Sequence, residues 1–273
     1  MDGTFYLGDK LLPGALDFIE TCRSNKIDFL FLTNNSSKHR GQYAEKLQRL
    51  GLEITQDKIF TSGEATAIFL QKQKPESRLF VVGTPALEEE FAQHDFVLVD
   101  SNPDFAVLGF DTTLTYDKLW RLCDLVRAGT PYIATHPDFN CPLENGFMPD
   151  IGAMIAFVEA STGRRPDVVV GKPNQPIIDA VIEKTGLSIA QICMVGDRLY
   201  TDIALGATGI TTVLVLSGEA SREDLADAPH QPDFVMQSLA ELGTTVQNIS
   251  ITNSDRSHAK RNQQPDIHNS NST

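Results

Sequence analysis

Apolar positions along this chain come in two alternating patterns, helical stripes and short continuous runs. Ala15, Phe18, Ile19 and Cys22 fall at helical spacing after Pro13, and the run Ile27 to Leu32 then reads as a strand buried on both faces. Thr33-Asn34-Asn35-Ser36-Ser37 breaks that strand and supplies caps for a helix carrying Tyr43, Leu47 and Leu50, closed by Gly51. Far along the chain the order repeats: a strand over Ile192 to Val195, an exit turn at Gly196-Asp197, a helix including Asp202 to Leu205, and a strand over Thr211 to Leu216. This alternation predicts an α/β fold, a Rossmann-like parallel sheet with helices on both faces. Between about Arg78 and Asp167 the chain has strands of its own (Leu79 to Val82, Phe105 to Leu108, Tyr132 to Ala134) and helices near Tyr116 to Arg127 and Gly152 to Ser161. A stretch with its own strand and helix complement reads as an inserted domain, since structureless loops of such length are rare. The expected organisation is a discontinuous core over 1–77 and 168–243, an insert over 78–167, and a disordered tail over 244–273, where Asn, Ser, Gln and Asp replace large apolar residues.

Composition narrows the function. Of 273 residues 41% are hydrophobic and 22% charged, and the formal charge of −13 repels nucleic acid and anionic membrane surfaces. Any anionic ligand must therefore be held by a local site. The longest apolar runs fall well short of the roughly 20 residues of a membrane span, and with no signal peptide ahead of them the chain is expected to be cytoplasmic. Cys22, Cys123, Cys141 and Cys193 form no C-x-x-C pair and have no histidines at ligand spacing, so each is expected to be a small buried apolar residue. No G-x-G-x-x-G follows a strand, and Gly206-x-x-Gly209 alone does not supply a dinucleotide site.

Three segments at strand ends, the edge where open α/β sheets bind ligands, carry candidate chemistry. The first is Met1-Asp2-Gly3-Thr4, which by itself is a common turn. The second, Leu32-Thr33-Asn34-Asn35-Ser36, offers a hydroxyl and backbone N–H groups ahead of a helix, an arrangement suited equally to phosphate and to capping. The third joins Gly171-Lys172-Pro173, a lysine on a short stiff turn, with Gly196-Asp197-Arg198-Leu199-Tyr200-Thr201-Asp202. Asp197 and Asp202 are placed to reach one point, as a hard cation such as Mg²⁺ requires, although Asp202 also suits a helix N-terminus.

In order and spacing this set resembles the haloacid dehalogenase superfamily of phosphohydrolases, and within it the NagD or p-nitrophenyl phosphatase branch, subclass IIA. Further likeness lies in Phe5-Tyr6-Leu7-Gly8-Asp9, Thr61-Ser62-Gly63-Glu64-Ala65, Ile133-Ala134-Thr135-His136-Pro137-Asp138 and Glu144-Asn145-Gly146 before Gly152-Ala153. The resemblance runs from Met1 to about Leu242. It implies an Mg²⁺-dependent phosphatase of small phosphorylated metabolites with an α/β cap that can mediate homodimerisation. The family motif is Asp-x-Asp-Gly-Thr, whose first Asp forms an aspartyl-phosphate while the second is acid and base. By this resemblance Asp2 is the general acid/base and its carbonyl a metal ligand, Asp197 a metal carboxylate, and Asp202 orders water or Lys172 behind the metal. Thr33, Asn34 and Lys172 bind the phosphoryl oxygens, Lys172 being catalytic as well. The cap segments Thr135 to Asn140 and Asn145 to Asp150 are expected to reach the site, with His136 read as a polar loop residue.

The nucleophile position of that motif precedes Met1. The expectation is that the chain begins at an internal methionine of a longer product, which carries the nucleophile and the first core strand. The chain as given would then be nearly inactive, its Met1 amino group, positive at neutral pH with an ordinary pKa near ~8, standing beside the cation site. A catalytically inactive protein of the same fold that binds a phosphometabolite or a protein partner is the alternative.

Overall fold

The structure, a computed structural model, describes residues 1–143 and 146–249. An antiparallel hairpin pairs β1 (Tyr6–Leu7) with β2 (Lys10–Leu11) around Gly8, which takes φ 57°. The apolar stripe of α1 (Ala15–Ser24) is buried at Ala15, Ile19 and Cys22, as its spacing predicts. β3 (Phe31–Thr33) then crosses over through α2 (Arg40–Arg49) to pair in parallel with β4 (Ile59–Thr61). β3 is shorter than the predicted run from Ile27. Lys26 takes φ 57° and Ile27 is 44% exposed, while the Asp28 carboxylate accepts from the Phe29 N–H and the Lys58 ammonium, so pairing begins only at Phe31. α3 (Ser62–Gln73) leaves β4 directly, capped by the Thr61 hydroxyl, which accepts from the Glu64 N–H.

A five-stranded parallel sheet follows, containing β5 (Arg78–Val82), β6 (Val97–Leu98), β7 (Phe105–Leu108) and β8 (Tyr132–Ala134). It is covered by α4 (Pro85–Gln93), α5 (Tyr116–Arg127) and α6 (Ile151–Thr162), capped by Thr84, Thr115 and Asp150 respectively. Between β8 and α6 lies a hairpin of β9 (Asn140–Leu143) and β10 (Gly146–Pro149), which the apolar pattern does not predict because its side chains are largely exposed. Asn145, the first residue of a segment expected at the site, and Glu144 before it lie outside the described residues. The edge strand β11 (Val168–Val169) pairs with β8, so the boundary expected between 167 and 168 cuts into this sheet. Parallel pairing with a strand some thirty residues back leaves no local trace that could have marked it.

The chain returns through α7 (Gln175–Thr185) to a parallel trio, β12 (Cys193–Gly196), β13 (Thr211–Val215) and β14 (Phe234–Met236). Where a helix over Asp202 to Leu205 is predicted, there is a π-helical turn (Leu199–Ile203) followed by a 3₁₀ segment (Ala204–Thr208). The N–H groups of Asp202 and Ile203 both donate to the Arg198 carbonyl, which widens the first turn and turns Asp202 inward.

One apolar cluster joins Phe60 and Leu70 to Leu79, Val107 and Ile133 of the five-stranded sheet and to Ile177 and Met194 of the last segment. A second gathers Phe5, Ile19, Phe31, Val213 and Leu239, with Val246 packed against it. Residues 239–249 form a final helix, α8, so the tail expected from 244 begins with six helical residues; Leu242 is buried and Gln247 donates to the Thr21 hydroxyl. The rest of that tail lies outside the described residues. All four cysteines are free, and Cys22 and Cys123 are buried as expected, whereas Cys141 is half-buried and Cys193 exposed. Among the described residues no helix is long and apolar enough to cross a membrane.

Candidate active site

Four loops meet at one cleft of about 1020 Å³, and Asp2, Thr33, Asn34, Lys172, Asp197 and Asp202 all line it. Asp197 leaves the end of β12 nearly fully buried; its Oδ1 accepts from the Thr4 hydroxyl at 2.7 Å and its Oδ2 from the Glu219 N–H at 3.0 Å. Space around it is cleared by glycines: a methyl at Gly3 or Gly218 would collide with the Asp197 carboxylate, and Gly3 also takes φ 78°. The motif order thus has a steric reason at Gly3 and a hydrogen-bonding one at Thr4.

Lys172 is buried, and its ammonium donates to Asp202 Oδ1 at 2.6 Å. Asp202 Oδ2 in turn accepts from the Asp197 and Arg198 N–H groups, both at 3.3 Å. Burial acts to raise the Asp202 pKa, but the charge of Lys172, the Met1 amino group and the Lys172 hydrogen bond outweigh it and hold the carboxyl below its usual range. Asp202 therefore anchors the lysine and the acidic loop.

Asn34 clamps the backbone of the lysine loop. Its Oδ1 accepts from the Lys172 N–H at 2.9 Å, and its Nδ2 donates to the Lys172 carbonyl and to Asp138 Oδ1, each at 3.0 Å. Gly171 is needed beside it, because a methyl there would strike Thr135, His136 and the Asn34 side chain. The Thr33 hydroxyl accepts from the Asn35 N–H at 3.2 Å and lies at the cleft wall.

From the five-stranded unit and its hairpin, Asp138, Asn140, Cys141, Pro142, Met148 and Asp150 reach the cleft. Burial pushes the Cys141 thiol up to about 11, so it stays protonated at neutral pH. His136 is a loop residue, as expected, but a fully buried one: its Nε2 lies 3.0 Å from Asp150 Oδ1 and its Nδ1 3.1 Å from the Thr135 hydroxyl. Sequence reading missed Thr4, Arg198 and Glu219. Arg198 Nε donates to Glu219 Oε2 at 2.9 Å, and Nη1 stands 3.8 Å from Asp138 Oδ2. Its place next to Asp197 was the one signal available.

The Met1 amino group is buried among Lys172, Asp202, Asp197 and Asp2. Burial first, and Lys172 second, push its pKa below the ordinary value, so it is less positive than the sequence suggests. For a divalent cation, the Asp197 carboxylate keeps one lone-pair direction on each oxygen beyond its two hydrogen bonds, and the Asp2 carbonyl is a hard oxygen donor of the right kind. Among the described residues no group of three or more His, Cys, Asp or Glu side chains is assembled to hold a metal. The Asp197 carboxylate and the Asp2 carbonyl thus fit part of such a site, while Asp202 is engaged by Lys172 and stands behind it.

A parallel α/β fold whose strand-end loops bring three aspartates and a lysine into one cleft defines the class, a haloacid dehalogenase-like hydrolase. Residues 1–97 match the haloacid dehalogenase-like hydrolase family and residues 169–242 a HAD-hydrolase-like family. The chain belongs to the haloacid dehalogenase superfamily, in its NagD-like subclass IIA. It is 33% identical to the 5'-nucleotidase YutF of Bacillus subtilis over 242 residues, covering 88% of this chain and 94% of that one. With the dihydroxyacetone phosphatase of Corynebacterium glutamicum it shares 33% identity over 89% of this chain and 88% of the relative. The crystal structure of a 4-nitrophenylphosphatase from Thermotoga maritima superposes with a TM-score of 0.87 at 49% identity, over 90% of this chain and 95% of that one. A glycerol phosphate phosphatase from Mycobacterium tuberculosis in complex with magnesium gives a TM-score of 0.82 at 32% identity, over 89% of this chain and 74% of that one.

Proposed function

We propose that this protein is a cytoplasmic, Mg²⁺-dependent phosphatase of small phosphorylated metabolites, with its nucleophilic aspartate two positions before Asp2 in a longer product. The observation that carries the reading is the buried Lys172–Asp202 pair standing beside Asp197 in the same cleft as Asp2, Thr33 and Asn34. The phosphatases among its relatives, one of them solved with magnesium, support it. In this reading the Thr33 hydroxyl and Asn34 N–H orient the phosphoryl group, and Lys172, held by Asp202, meets the charge on its oxygens. Asp2 donates a proton to the leaving oxygen and later takes one from the attacking water. A bound Mg²⁺, held by Asp197, the Asp2 carbonyl and the upstream carboxylate, supplies charge neutralisation. The division into a core and a substrate-selecting cap is part of the same proposal.

The test is hydrolysis of p-nitrophenyl phosphate with and without Mg²⁺, comparing the given chain with one extended by the in-frame upstream residues. Metal-dependent turnover confined to the extended form is the expected result. Inactivity of both, with both folded, would favour the inactive binding protein, in which the Met1 amino group remains among the acidic residues.

A further inference from the structure

The polar contacts of the cleft close into a ring, and only one of its side chains comes from the segment between β8 and the β9–β10 hairpin. Asp138 Oδ1 accepts from Asn34, whose amide spans the Lys172 backbone; the Lys172 ammonium reaches Asp202; Asp202 holds the Arg198 N–H; and the Arg198 guanidinium returns to Asp138 Oδ2 at 3.8 Å. Asp138 is 10% exposed at its side chain, so its bond to Asn34 is shielded from water, where a lost acceptor is costly. Without it, one N–H of the Asn34 amide has no acceptor, and the amide can rotate away from Lys172. With it, all the polar atoms of that amide are engaged and its orientation is fixed.

We infer that Asp138 is a positioning residue: docked through the Asn34 amide, it sets the Lys172 loop in register with Asp202 and so couples the placement of the β5–β11 unit to phosphate affinity. The inference rests on the phosphatase reading only in taking Thr33, Asn34 and Lys172 to bind phosphate. The hydrogen bond, and not the charge, is the operative contact, because Arg198 already has Glu219 at 2.9 Å whereas Asn34 Nδ2 has no second side-chain acceptor among the described residues.

The experiment is calorimetric titration of the given chain with inorganic phosphate, for wild type, Asp138→Ala and Asp138→Asn, with melting curves for each. Asp138→Ala is expected to weaken phosphate about fivefold to tenfold, the worth of a shielded hydrogen bond, while melting within a few degrees of wild type. Asp138→Asn keeps an oxygen facing Asn34 and removes the charge, and is expected to restore most of the affinity; a structural contact alone would show no such split. Equal phosphate affinity in wild type and Asp138→Ala would overturn the inference, as would equal losses in both variants, which would place the effect in the Arg198 pair. If Asp138→Ala fails to fold, Asp138→Ser, whose shorter side chain falls back from Asn34, takes its place under the same expected and overturning results. A wild-type chain that binds no phosphate would instead overturn the assignment of Thr33, Asn34 and Lys172 as its phosphate site, on which the inference stands.

Discussion

The contact between Lys172 and Asp202 is short, buried and charged, and at the residue scale it governs both stability and chemistry. Replacing one partner of such a pair leaves the other as an uncompensated buried charge, at about 3–5 kcal/mol. Asp202→Asn is therefore expected to lose about that much in urea denaturation at neutral pH. The pH dependence has a definite sign. The Asp202 pKa is held below its usual range, so its contribution is present above the ordinary carboxylate range and is lost as pH falls through the folded value. The gap between wild type and variant should accordingly narrow on acidification; a gap constant down to strong acid would show that the pair carries little.

Among the helices, the most conspicuous tie is a charged cluster linking α2, α3, α4 and α7. Arg40 of α2 stands 3.2 Å from Glu64 of α3 and 3.3 Å from Glu90 of α4, while Lys184 of α7 reaches Glu64 at 2.7 Å and His94 reaches Glu90 at 3.3 Å. Burial raises the Glu64 pKa, against the pull of Lys184 and Arg40. Arg40→Met removes one pull and is expected to cost on the order of 3 kcal/mol at neutral pH. A carboxyl with a raised folded pKa loses stability as pH rises through that value, so the deficit should be larger at pH 8 than at pH 5, measured by denaturation at both. What the sequence could reveal of these elements divides by mechanism. Strands Phe105–Leu108 and Tyr132–Ala134 and helix Tyr116–Arg127 were legible because burial imposes a local period on them. The β9–β10 hairpin, the membership of β11 in the five-stranded sheet and the π-helical turn at Asp202 were not, since each depends on exposed side chains, on a partner distant in the chain or on one carbonyl shared by two donors. The site residues were legible as motifs, yet the roles of Thr4, Arg198 and the Asn34 side chain appear only when loops distant in the chain meet.

At the scale of the whole molecule, α8 closes the apolar cluster that begins at Phe5 and Ile19. Leu239 and Leu242 are buried there, Val246 packs against it, and Gln247 bonds to Thr21. Ending the chain after Leu242 is therefore expected to lower the melting temperature by a few degrees, in line with about 1 kcal/mol for a half-buried valine and its neighbours. An unchanged melting curve would show that the helix contributes nothing beyond its own turn. The Thr4–Asp197 bond has another bearing, on the order of events at the ribosome. Its partners are 193 positions apart, whereas the five-stranded unit from β5 to β11 is contiguous. During synthesis that unit has all of its strands before Asp197 has emerged, while the amino-terminal loop must wait, unpaired, for the last third of the chain. A nascent chain stalled short of Asp197 would hold a finished five-stranded unit and an incomplete cleft, so on this protein the cleft is the last thing to be made.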